Sequence, residues 1–145
     1  MQQTNLIGAG LALAIFSLSS LTFVARLAGR PELGRWFGVP LLLTAFPLSY
    51  LLVRAPQDAR PPLYYLQISL MLAWLAVEFV LDYWPRVEFR QVRWAVIGYV
   101  VLFFAGTGGM IDVAALAGRP WAIAAGVLFL IMGALAFIQR AATGL

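Results

Sequence analysis

The 145 residues are 63% hydrophobic and 11% charged, with a mean hydropathy of +0.89. A water-soluble domain carries about a quarter charged residues, so a soluble globule is excluded. Cys, His and Lys are absent and all ten basic residues are Arg, which excludes disulfides, thiolate or imidazole metal sites, His-ligated haem, Ser–His or Cys–His nucleophile pairs and Schiff-base lysines.

Five apolar runs follow one another, each long enough to cross a hydrocarbon core of about 30 Å as a helix. The first covers about residues 5–27; it is too long for a signal-peptide core, and MQQTN before it carries no basic residue, so an uncleaved span is expected. The second, about 36–54, carries Pro40 and Pro47 with Thr44 between them, and each Pro invites a kink. The third covers about 62–84 and the fourth about 93–115; in the fourth, Gly98, Ala105, Gly109 and Asp112 share a face and favour close helix packing. In the fifth, about 120–140, Gly126, Gly133 and Arg140 recur every seven residues as a second seam. The runs do not alternate as barrel strands would. The connections are short and hold breakers or Arg. The expected fold is all-α, one domain over residues 1–145, an integral membrane bundle of five helices.

Orientation follows from the arginines. Arg26, Arg30, Arg35, Arg86, Arg90, Arg93 and Arg140 fall at one end of the bundle, seven in all, against Arg54, Arg60 and Arg119 at the other. The N-terminus is therefore expected outside and the C-terminus in the cytoplasm, in a plasma membrane such as the bacterial inner membrane. Trp36, Trp84 and Trp94 then mark the cytoplasmic interface and Trp121 the outer one, leaving Trp74 deep in the third span. Topology and anionic lipid explain the net charge of +4, so no nucleic-acid partner is expected.

Polar residues within a span point to the bundle interior or the interface. In the third span Tyr64, Gln67, Met71, Trp74, Glu78 and Asp82 follow steps of three and four, which puts them on one stripe. Glu78 lies roughly 9 Å from the interface marked by Trp84, where an ionised acid costs a few kcal/mol unless it is paired, protonated or hydrated. Asp82 is one turn nearer the interface, and two carboxylates so close favour sharing a proton or a cation. The structural expectation is that Glu78 and Asp82 pair with Arg140, Arg86 or Arg90. The functional one is that Gln67, Trp74, Glu78, Asp82 and Arg140 hold a ligand, proton or cation. A structural ion pair is likewise expected between Asp112 and Arg54. No catalytic residue, metal ligand or cofactor is identified.

The segment EFVLDYWPRVEFRQVRW, residues 78–94, resembles a pattern in small multi-spanning bacterial membrane proteins with no assigned activity, through Glu78, Leu81, Asp82, Tyr83, Phe89 and Arg90. The resemblance implies membrane location. Five spans in a chain of this length is also the format of the tryptophan-rich translocator proteins, but those cluster Trp–Pro motifs, whereas most Trp here mark interfaces.

The leading functional expectation is a small polytopic protein that binds or translocates a small lipophilic or cationic molecule in a cavity lined by the third span, with membrane lipids as partners. The alternatives are a structural or accessory subunit, or a homo-oligomer, docking through the Gly-containing faces, and an integral-membrane enzyme acting on a lipid or isoprenoid through Glu78 and Asp82.

Overall fold

The computed structural model describes residues 2–82 and 93–143. The described residues form helices and turns only: α1 (Gln2–Leu27), α2 (Pro31–Leu43), α3 (Ala45–Arg54), α4 (Pro62–Asp82), α5 (Arg93–Ala115) and α6 (Arg119–Thr143). Helices α2 and α3 run on as one span, Glu32–Arg54, so five stretches are long and apolar enough to cross a membrane. Residues 83–92 of the resembling segment 78–94, with Arg86 and Arg90, lie outside the described residues.

The second span differs from expectation at both ends of its first half. It begins earlier, because Pro31 supplies a helix start whose missing N–H is no loss and Glu32 sits in the first turn, where the helix dipole favours an acid. It also breaks at Thr44. Pro47 has no N–H to return to the Leu43 carbonyl, which opens the ladder one turn earlier. The Thr44 N–H turns to the Leu41 carbonyl at 3.2 Å, and the Thr44 hydroxyl donates to the same oxygen. The helix resumes with the Leu48 N–H on the Thr44 carbonyl at 3.0 Å. Pro40 sits inside α2 without ending it.

Two turns end with a helix-terminating motif in which a residue at positive φ lets two later N–H groups return to the last turn. After α1, Gly29 (φ 74) takes this place, with the Arg30 N–H on Ala25 O at 2.9 Å and the Gly29 N–H on Arg26 O at 3.1 Å. After α3 the place falls to Ala59 (φ 52), with the Arg60 N–H on Ala55 O at 3.1 Å. A side chain there costs roughly 1 kcal/mol relative to glycine, and the position of Arg60, described below, offsets it.

Helix α1 packs against α2, α3, α5 and α6, while α4 closes the other side against α5, α2 and α3, and α5 meets α6. Its inner face is made of small residues, Gly8, Ala9 and Ala12, followed by Ile15 and Phe16, all buried. A Cβ on Gly8 would come within 2.7 Å of Val113 Cγ1, so the absence of a side chain sets the α1–α5 distance. The α4–α5 contact is tighter still in backbone terms. A Cβ on Gly106 would lie 3.2 Å from the Leu70 carbonyl oxygen and 3.3 Å from Met71 Cα.

The expected small-residue face of α5 holds at Gly109 and Asp112 and fails at Gly98 and Ala105. Gly106 and Gly109 make the contact, whereas Ala105 is exposed and Gly98 meets nothing within 4 Å. On α6, a Cβ on Gly133 would lie 3.5 Å from Phe104 Cε1, and one on Gly126 would meet nothing within 4 Å. Aromatic rings tie the interior together: Trp74 lies 5.0 Å from Phe103, and Phe104 lies 6.0 Å from Phe129, which meets Phe16 at 5.9 Å. Phe46 and Leu130 are more than 70% exposed.

Candidate functional site

The polar stripe of α4 turns inward over its described length. Tyr64, Gln67, Met71 and Trp74 are buried, while Leu63, Leu66, Phe79 and Val80 on other faces are exposed. Three settings divide the stripe.

At the end where α4 begins, the stripe meets a clasp. Arg60, only 8% exposed, lies over the Tyr64 ring at 4.8 Å and donates from Nη2 to Thr4 Oγ1 at 3.1 Å and to Asn5 Oδ1. The Thr4 hydroxyl in turn donates to Asp58 Oδ2 at 2.9 Å. The clasp joins the first turn of α1 to the loop after α3.

One turn deeper, Gln67 Nε2 donates to Asp112 Oδ2 at 2.8 Å. This corrects the expected Asp112–Arg54 pair. Gly109 and Asp112 are three residues apart, so the face that brings Gly109 onto Gln67 also aims Asp112 at α4. The Arg54 Nε is buried with no hydrogen-bond partner.

The lower stripe opens into a recess of about 260 Å³, open space included, between α1, α2, α4 and α5. Trp74 and Glu78 line it from α4, Ser19 and Arg26 from α1, and Tyr99 from α5. The spacing of four between Trp74 and Glu78, and of seven between Ser19 and Arg26, brings each pair to one helix face. Trp74 and Ser19 are each 3% exposed, and the Trp74 Nε1 and Ser19 Oγ are buried with no hydrogen-bond partner. Thr22, also in the recess, spends its hydroxyl on the Leu18 carbonyl at 2.9 Å.

Of the expected site residues, the structure therefore brings Trp74 and Glu78 together and leaves Gln67 to Asp112. The Asp82 side chain lies outside the described residues. Arg140 does not line the recess; Arg26 does. Arg140 instead borders a groove of about 640 Å³, open space included, between α1, α5 and α6, whose wall shares Phe23, Arg26 and Tyr99 with the recess. Arg26 carried one signal in the sequence, its place in the last turn of the first span at the same end as Glu78.

Chemically, the recess offers an indole N–H that only donates, hydroxyls that donate or accept, and one carboxylate beside one guanidinium. Among the described residues no group of three or more Asp, Glu, His or Cys is placed to hold a metal ion. No family model matches this chain, and no curated protein and no solved structure matches it either.

Proposed function

We propose that the protein is a membrane protein that binds a small, largely apolar molecule within its helical bundle, in the recess against α4. The observation that carries this is the pair of buried polar atoms without partners, Trp74 Nε1 and Ser19 Oγ, in one recess with Glu78. Leaving such a group unsatisfied costs about 1–3 kcal/mol, and a molecule that parts the recess far enough to set an oxygen against either atom removes that penalty. Because the indole N–H only donates, the ligand presents an acceptor oxygen to it, while Ser19 accepts from a ligand hydroxyl or amine.

Trp74→Phe removes the N–H and keeps most of the ring. Lipophilic molecules that co-purify in mild detergent, quantified by mass spectrometry, are expected to fall about tenfold, the equivalent of one hydrogen bond. Thermal stability is expected to hold, since the N–H has no protein partner to lose. Equal retention by the parent and Trp74→Phe defeats the proposal.

We propose the orientation with the N-terminus outside and the C-terminus cytoplasmic, in a bacterial inner membrane, on the seven-to-three division of arginines between the two ends. The exposed Gln57, replaced by the only Cys in the chain, is expected to react with a membrane-impermeant maleimide from outside. Reaction from the cytoplasmic side alone reverses the orientation.

A further inference from the structure

The groove between α1, α5 and α6 adjoins the recess, sharing Phe23, Arg26 and Tyr99 with it, and has a different chemistry. Arg26 and Arg140 stand in the last turns of α1 and α6, so both cations come to the same end of the groove. Deeper in, the walls are apolar: Val100 and Phe104 on α5 and Phe137 on α6, whose ring stacks on Phe104 at 5.8 Å and 15°. Among the described residues no Asp or Glu lines it. Along α5 the lining runs from Val96 to Phe104, a depth of about 12 Å at the helical rise, which matches the upper part of an acyl chain. Phe137 is 65% exposed, so the groove opens sideways to lipid rather than only at its end.

We infer that this groove holds an anionic phospholipid of the surrounding bilayer, with its phosphate between Arg26 and Arg140 and one acyl chain along Phe104 and Phe137. Guanidinium groups present paired N–H donors that match phosphate oxygens, and two of them from different helices fix the headgroup in position rather than merely attracting it. Basic pockets between spans bind anionic headgroups by this geometry. The inference is independent of the ligand proposed for the recess, although Arg26 borders both.

The test is native mass spectrometry of the detergent-purified protein titrated with phosphatidylglycerol and, separately, phosphatidylcholine. The parent is expected to retain phosphatidylglycerol about tenfold better, and Arg140→Gln, with or without Arg26→Gln, to remove that preference, as loss of a charged hydrogen bond does. Ala136→Trp fills the groove and leaves both arginines; it is expected to lower phosphatidylglycerol retention as far as Arg140→Gln does. If Ala136→Trp does not fold, Phe137→Ser serves the same purpose, because Phe137 is exposed and its loss spares the core. Arg119→Gln, at the opposite end of the bundle, is expected to retain the parent's preference, and so is Trp74→Phe, which tests only the recess. Soluble glycerol phosphate is expected not to compete. Unchanged phosphatidylglycerol retention in the groove-filling or Phe137 variant, an equal loss with Arg119→Gln, or displacement by glycerol phosphate overturns the inference, since each makes the binding a matter of surface charge alone.

Discussion

Arg60→Ala is expected to lower the stability of the detergent-solubilised protein by about 3 kcal/mol, within the range for breaking a buried charged network. Three interactions disappear at once: the hydrogen bonds to Thr4 and Asn5 and the guanidinium over Tyr64. Asp58 then loses the nearby cation that balances it through Thr4. The methylene stem of Arg60 is buried too, so a void adds to the loss. Arg60→Lys keeps a charge but not the forked donors and is expected to recover less than half. Thermal unfolding gives the magnitude, and hydrogen exchange at residues 3–8 locates it, because the start of α1 loses its tether. A loss below about 1 kcal/mol would reduce the clasp to an ordinary surface contact.

The second large effect belongs to Gly106. Gly106→Leu drives a side chain into the Leu70 carbonyl and the Met71 Cα, which are backbone atoms and cannot swing aside. Helices α4 and α5 must separate, and with them the Trp74–Phe103 contact and the Gln67–Asp112 hydrogen bond. A loss of about 3 kcal/mol or more is expected, since overpacking a close contact costs 1–3 kcal/mol even where side chains can yield. Gly98→Leu is the matched comparison, because nothing lies within 4 Å of its Cβ position. It is expected to change stability by no more than about 0.5 kcal/mol. Equal effects of the two substitutions would mean that helix propensity, not the α4–α5 approach, governs both.

The spans were legible because a run of apolar residues of membrane length has few other uses. The break at Thr44 was legible in part, since Pro47 removes a donor at a known offset. The direction of the α4 stripe could be read for the same reason, as polar atoms avoid acyl chains. What stood across from the stripe could not. In water an apolar face marks the core and orients each helix, but here core and lipid are equally apolar, so hydropathy says little about which helix neighbours which. Hence Arg26, read as a topology signal, lines the recess with Glu78, and Arg140 borders the next groove. The same blindness placed Asp112 opposite Arg54 from depth alone, when rotation of α5 takes it to Gln67. The choice of Gly106 over Ala105 as the contact turns on one residue of helical phase, a rotation of about 100°.

Helix α1 touches α2 and α3 as well as α5 and α6, and this has a consequence for biogenesis. Chains emerge N-terminal end first, so the earliest of these five spans to leave the ribosome waits for the two latest before its inner face is covered. During that interval the Ser19 and Ser20 hydroxyls and the Gly8–Ala12 surface lack α5 and α6 beside them. The clasp does not wait. Thr4 and Asn5 can meet Asp58 and Arg60 as soon as the second span is in place, so α1 and α3 are held as a hairpin while the remaining helices are made. Translation that stalls between α4 and α5 would leave this hairpin assembled but open on one side.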